Sequence, residues 1–105
     1  MIALTGFLCA RPAGNGSASS LRAAPDSGQL LYVANQNGAV VSVIDMATNT
    51  VIHTVDLQSL GFSATAKPHH VVVEPDGSYW YVSLIAEDRV LKFDRDNTLV
   101  GQVEF

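Results

Sequence analysis

The sequence predicts an all-β protein built from two consecutive antiparallel units, and three observations lead to this prediction. An internal repeat with an offset of 48 to 50 residues runs along most of the chain. Short runs of β-branched and aromatic residues alternate with polar turn signals. No segment keeps the 3.6-residue period of an amphipathic helix, so we expect almost no helix.

The repeat consists of four matches that occur in the same order in both halves. They join residues 25–26 with 75–76, 31–34 with 80–83, 43–45 with 92–94, and 49–51 with 97–99. The offsets are 50, 49, 49 and 48 residues. Ordered matches with nearly constant spacing identify one repeated structural unit. We assign repeat 1 to about residues 25–57 and repeat 2 to about residues 67–105.

Each repeat contains short segments of strand composition that are separated by turns. Repeat 1 has predicted strands at residues 30–35, 40–45 and 51–57, and its first strand would fall at about 20–24, where the strand signal is poor. Repeat 2 has predicted strands at 70–74, 79–84, 89–94 and 98–105. A Pro-Asp-Gly turn follows the first of these, because Pro fixes φ and Gly accepts a positive φ. Asp45 and Asp94 occupy matched positions after a strand, which predicts a turn-forming role for both.

Four antiparallel strands per repeat, at a period near 45 residues, are typical of a β-propeller blade. We therefore predict two four-stranded blades of an incomplete propeller, the first imperfect in its innermost strand. A plain β-sandwich meander of about seven or eight strands is the alternative architecture. Two blades leave apolar faces open, so we expect the remaining propeller blades or self-association as partners.

Three segments of repeat 1, residues 31–35 (LYVAN), 41–45 (VSVID) and 47–51 (ATNTV), resemble the YVTN-type β-propeller repeat. Residues 67–77 (KPHHVVVEPDG) are similar to the first half of the same repeat. The resemblance covers about residues 25–105. It implies an extracytoplasmic propeller, in a family that mostly lacks an assigned activity.

Residues 1–24 differ in composition from the rest and are predicted to be a degraded signal and linker segment. A short apolar run at residues 1–10 precedes a Gly- and Ser-rich stretch at 14–20. Cys9 lies where a bacterial lipoprotein would carry its lipidated cysteine. These features predict a periplasmic or extracellular location, with Cys9 as a candidate lipid anchor.

The composition of the 105-residue chain excludes several classes of protein. Hydrophobic residues make up 48% and charged residues 15%, which excludes disorder for most of the chain. A net charge of −4 without a basic patch argues against nucleic-acid binding. No apolar run reaches the length of a transmembrane helix. One cysteine cannot form an internal disulfide or a thiolate zinc site.

The candidate ligand-binding residues are His69 and His70, with Lys67 close by in the sequence. They follow the longest predicted loop, residues 58–68, and open the strand that the resemblance places innermost, near the mouth of the central channel. Imidazole is a common metal ligand, and a lysine ammonium favours an anionic group. Adjacent strand residues point to opposite faces, so the pair cannot chelate one ion without a bend. The alternative is that one histidine packs under the loop while the other faces solvent.

No nucleophile elbow and no phosphate-binding loop accompany the histidines. We therefore expect a non-catalytic binding or interaction scaffold, a fragment of a secreted or periplasmic YVTN-type propeller, with a small anionic ligand. The alternative is part of a propeller oxidoreductase or lactonase-type enzyme, in which other blades complete a ligand, metal or haem site at the channel mouth. The identity of any metal or cofactor stays open.

Overall fold

The computed structural model describes residues 29–105, which form two antiparallel β-sheets. Sheet A has the strand order β1 (Leu30–Asn35), β2 (Val40–Asp45) and β3 (Thr50–Asp56). Sheet B has the order β4 (Pro68–Val73), β5 (Tyr79–Leu84), β6 (Arg89–Asp94) and β7 (Leu99–Glu104). The only helical segments in residues 29–105 are two 3-10 turns, Gln36–Gly38 and Leu57–Leu60.

The prediction of an all-β, antiparallel fold with almost no helix is confirmed for these residues. β4 begins two residues earlier than expected, at Pro68, and the other strands lie within one residue of their predicted bounds. The signal and linker segment at residues 1–24, Cys9, and the strand expected at about 20–24 lie outside the described residues. No helix within residues 29–105 has the length and apolar character needed to span a membrane.

The turns between strands explain the matched polar residues of the two repeats. The Asp45 carboxylate accepts a hydrogen bond from the Ala47 N–H at 2.8 Å, and the Asp94 carboxylate accepts one from the Asp96 N–H at 2.8 Å. The turn-forming role predicted for both aspartates is therefore confirmed. Asn49 and Asn97 then adopt left-handed backbone conformations, with φ of 58° and 65°. Asn tolerates this region better than most residues, which explains why both turns contain it.

One hydrophobic cluster joins the two sheets, and β1 of sheet A packs against β4 of sheet B. The Tyr32 and Trp80 rings meet across the sheets with centroids 5.2 Å apart. The Trp80 ring in turn stacks on Phe93, with centroids 4.3 Å apart and planes 9° from parallel. Aromatic pairs at these distances contribute beyond the apolar area that they bury, so this column ties sheet A to sheet B.

Positions that are equivalent in the two repeats face different ways in the two sheets. Those of sheet A face sheet B, and those of sheet B face away from sheet A. The core positions of sheet A are Tyr32, Ala34, Val41, Val43 and Val55. Their counterparts, 48 or 49 residues later, belong to the face of sheet B that is directed away from sheet A. We call this the outer face, and it consists of Val72, Tyr81, Ser83, Val90, Lys92 and Val103. Sheet B contacts sheet A through its opposite face, which includes Trp80, Val82 and Phe93.

Candidate functional site

A β-bulge at the start of β4 positions His69 and His70. Pro68 pairs with Leu84 and Val71 with Val82, so the two histidines together oppose the single residue Ser83. Pro68 and Val71 are both buried, although three residues apart. Regular alternation would place residues at that spacing on opposite faces of the strand. The extra residue in the bulge lets both enter the core, and it leaves both histidines outside it.

The bulge brings the two imidazoles into direct contact. His69 Nδ1 and His70 Nδ1 are 2.8 Å apart, and the ring centroids are 4.8 Å apart. At this distance one Nδ1–H donates to the lone pair of the other Nδ1. His69 is half-buried and His70 is exposed, and the His70 backbone N–H donates to Ser83 Oγ at 3.1 Å. The bend that two adjacent strand residues would need to act on one ligand is therefore present.

The loop that precedes the histidines is fastened to the turn between β5 and β6. The Ser63 N–H donates to the Glu87 carboxylate at 2.8 Å, and the Ala86 N–H donates to the Ala66 carbonyl at 3.2 Å. Lys67 has a left-handed φ of 58°, and its carbonyl accepts the Ile85 N–H at 3.1 Å. These bonds set the position at which the chain enters β4, so they hold the histidine pair in place.

Lys67 is exposed, and within residues 29–105 its ammonium forms no ion pair. Its side chain is thus available to an anion from solvent, although the structure shows no contact between it and the imidazoles. His53 lies on β3 of sheet A, where it pairs with Val43 across the strands, and it is exposed. Of the three histidines, only His69 and His70 are brought together.

No group of three or more His, Cys, Asp or Glu side chains in the described part of the chain could hold a metal ion. Structural metal sites normally use about four protein ligands and catalytic sites about three. The histidine pair by itself therefore leaves most coordination positions to water or to another ligand.

A second polar cluster, which was not predicted from the sequence, lies around the outer face. The Tyr81 hydroxyl donates to the Glu74 carboxylate at 2.8 Å. The Lys92 ammonium lies 4.0 Å from the Tyr79 ring centroid and 5.7 Å from that of Tyr81. The hydrogen bond to Glu74, followed by desolvation and the Glu74 charge, raises the pKa of Tyr81 above 10.0. The signal available in the sequence was the register, because Tyr81 and Lys92 pair directly across β5 and β6.

No protein-family model matches the chain, and no curated protein matches it either. The resemblance to the YVTN-type repeat therefore stays a prediction. The stacking of the two sheets and the histidine pair are the features from which function can be inferred.

Proposed function

We propose that the chain is a non-catalytic binding scaffold whose two sheets are consecutive blades of a secreted or periplasmic YVTN-type β-propeller. One observation carries the proposal. The outer face of sheet B holds the repeat counterparts of the face that sheet A buries against sheet B. Each unit therefore presents the same face to the unit that follows it. An interface of this kind is heterologous, because it joins two different surfaces, and its repetition forms a closed ring or an open filament.

The outer face has the properties of a surface that receives a further unit. Val103 is 65% exposed and Val72 is 54% exposed, although both are apolar strand residues. Val90 pairs with Val103, so two apolar side chains are adjacent on β6 and β7. Covering such side chains yields roughly 25 cal/mol for each Å² of apolar area removed from water.

Lys92 is the one charged residue of the outer face, and it stands at the repeat position of the buried Val43. A lysine is tolerated at a packed surface when its alkyl stem lies along apolar groups and its ammonium reaches the edge. Here the ammonium lies over the ring of Tyr79, the first residue of β5. The apolar part of the face is thus left open for the contact with a further blade.

The ligand-binding part of the scaffold consists of His69, His70 and Lys67, for a small anionic ligand. Neutral imidazole offers a donor or an acceptor to such a ligand, and a lysine ammonium supplies a positive charge. Because the loop–strand junction is already held in place, a ligand that binds there has little additional chain to order. The loss of conformational entropy on binding is therefore smaller than at a mobile site.

Sedimentation velocity over a wide concentration range tests the open docking face. We expect the chain to associate reversibly, and Val103→Asp on the outer face to weaken this association at least tenfold. The matched control is Ile85→Asp, because Ile85 is 47% exposed but lies in the turn between β5 and β6, on neither face of a sheet. A chain that stays a cooperatively folding monomer of 11.2 kDa at every concentration would overturn the proposal. Equal effects of the two substitutions would also overturn it.

A further inference from the structure

We infer that His69 and His70 form a two-nitrogen chelating site for a divalent transition-metal ion of square-planar or octahedral preference, such as Cu²⁺ or Ni²⁺. The inference deepens the proposed function and rests on it, because the ion would be the means by which the scaffold holds its anionic ligand. The observations that carry it are the bulge at β4 and the 2.8 Å contact between the two Nδ1 atoms.

The separation of the two nitrogens selects the class of ion. Two nitrogens 2.8 Å apart, each at a metal distance of about 2.0–2.1 Å, subtend an angle of about 86° at the ion. Cis ligands of square-planar and octahedral ions meet near a right angle, whereas a tetrahedral ion such as Zn²⁺ would hold the nitrogens about 3.3 Å apart. A pair that keeps this separation when it binds an ion therefore fits Cu²⁺ or Ni²⁺ better than Zn²⁺.

The proton between the rings does not prevent metal binding. In the free pair one Nδ1 carries a proton and the other a lone pair. When the ion binds, the proton of the donor ring leaves Nδ1 and the same ring takes a proton from solvent at Nε2. Both rings stay neutral, and a small rotation of each ring aims its Nδ1 lone pair at the ion.

The surroundings leave the remaining coordination positions open. His70 is exposed and His69 is half-buried, so water reaches the ion. No carboxylate within residues 29–105 joins the pair in a larger ligand group. An anionic ligand can thus replace a water on the ion. Lys67, which lies two residues before His69 and just outside β4, adds positive charge near this ligand.

Isothermal titration with Cu²⁺, with Ni²⁺ and with Zn²⁺ tests the site on the whole chain, with Cys9 alkylated so that its thiol neither binds nor reduces the ions. We expect one Cu²⁺ per chain, and an electron paramagnetic resonance spectrum with two equatorial nitrogens. His69→Ala and His70→Ala should each weaken Cu²⁺ binding at least about tenfold, since the second imidazole no longer acts at high effective concentration. Ni²⁺ should bind more tightly than Zn²⁺.

His53→Ala is the matched control, because His53 is an exposed strand histidine on the other sheet. It should leave Cu²⁺ binding unchanged. A loss of binding in this variant, undiminished binding in His69→Ala and His70→Ala, or Zn²⁺ binding as tight as that of Ni²⁺ would overturn the inference. Sedimentation of the same variants separates the two proposals: the histidine variants should keep the association of the wild type, and Val103→Asp should keep the metal.

Discussion

The Tyr32 and Trp80 rings meet across the two sheets with their centroids 5.2 Å apart and their planes tilted by 40°. Tyr32 belongs to β1 of sheet A, and Trp80 belongs to β5 of sheet B. Each is 1% exposed. Trp80 also stacks on Phe93 and donates its Nε1–H to the Asn97 side-chain oxygen at 3.1 Å. This residue therefore connects the interface between the sheets to the turn between β6 and β7.

The first prediction concerns the free energy of unfolding of a Trp80 variant. Trp80→Ala should lower it by about 3–5 kcal/mol, because it leaves a cavity at the contact with Tyr32 and Phe93. Denaturant unfolding followed by circular dichroism measures the change. Val72→Ala is the control, since Val72 is 54% exposed and its loss should cost well under about 1 kcal/mol. A loss below about 1 kcal/mol for Trp80→Ala would contradict the role assigned to it.

The repeat made most of this fold predictable, because its matches fix both the strands and the turns. Asn49 and Asn97 were matched by the recurring Asn-Thr pair and its spacing, and both adopt the left-handed conformation at the same place in their hairpins. Trp80 and Tyr81 show the limit of this reasoning. Both are large aromatic residues in adjacent positions, and only the packing of sheet B on sheet A decides which of them enters the core.

The histidine pair was found from the sequence, but its geometry was not. Strict alternation predicts that His69 and His70 point to opposite faces. The bulge changes this, because burying both Pro68 and Val71 gains more than keeping a regular ladder at the start of β4. A bulge of this kind depends on contacts with the rest of the core, so its place cannot be read from local sequence.

The second prediction separates the two roles of an asparagine in a left-handed turn. Asn97→Gly should destabilise the protein by about 1–2 kcal/mol, because Gly keeps the positive φ but removes the acceptor of the Trp80 N–H. Asn49→Gly should change stability by less than about 0.5 kcal/mol, since the structure shows no side-chain hydrogen bond of Asn49 within residues 29–105.

Alanine at the same two positions completes this comparison. Asn49→Ala should cost about 1 kcal/mol from backbone strain alone, and Asn97→Ala should cost more because it also removes the acceptor. Thermal unfolding of the four variants supplies the measurement. Equal losses for Asn49→Gly and Asn97→Gly would show that the bond to Trp80 contributes nothing.

The third prediction concerns the titration of Tyr81. Its hydrogen bond to Glu74 favours the protonated phenol in the folded state, which raises the pKa of Tyr81 above 10.0. The contribution of this group to stability is therefore complete below pH 10.0 and is lost as the pH rises through the folded-state pKa.

Absorbance of the phenolate measures this shift in the folded protein. Tyr81→Phe identifies the transition of Tyr81 among those of the three tyrosines. Glu74→Gln should lower the pKa of Tyr81, because it removes the negative charge and weakens the acceptor. An unchanged transition in Glu74→Gln would mean that the hydrogen bond does not persist in solution.

The fourth prediction exchanges two residues at equivalent repeat positions. Val43 is 1% exposed in the core between the sheets, whereas Lys92 lies on the outer face with its ammonium over the Tyr79 ring. Val43→Lys should destabilise the protein by about 3 kcal/mol or more, because it places an ammonium without a partner in an apolar interface. Lys92→Val should change stability by less than about 1 kcal/mol, since it loses the cation–π contacts with Tyr79 and Tyr81 and gains a good strand residue.

The two substitutions should also differ in their effect on association. Lys92→Val removes the one charge among the six residues of the outer face and gives the face the residue that sheet A carries at this position, so it should strengthen the reversible association of the chain. Val43→Lys changes the interface between the two sheets of one chain and leaves the outer face as it is. At temperatures where this variant is folded, its association should therefore be no stronger than that of the wild type. Denaturant unfolding and sedimentation velocity of both variants provide the two measurements. If Lys92→Val were as destabilising as Val43→Lys, the two faces would not differ in the way that the stacking of sheet A and sheet B requires.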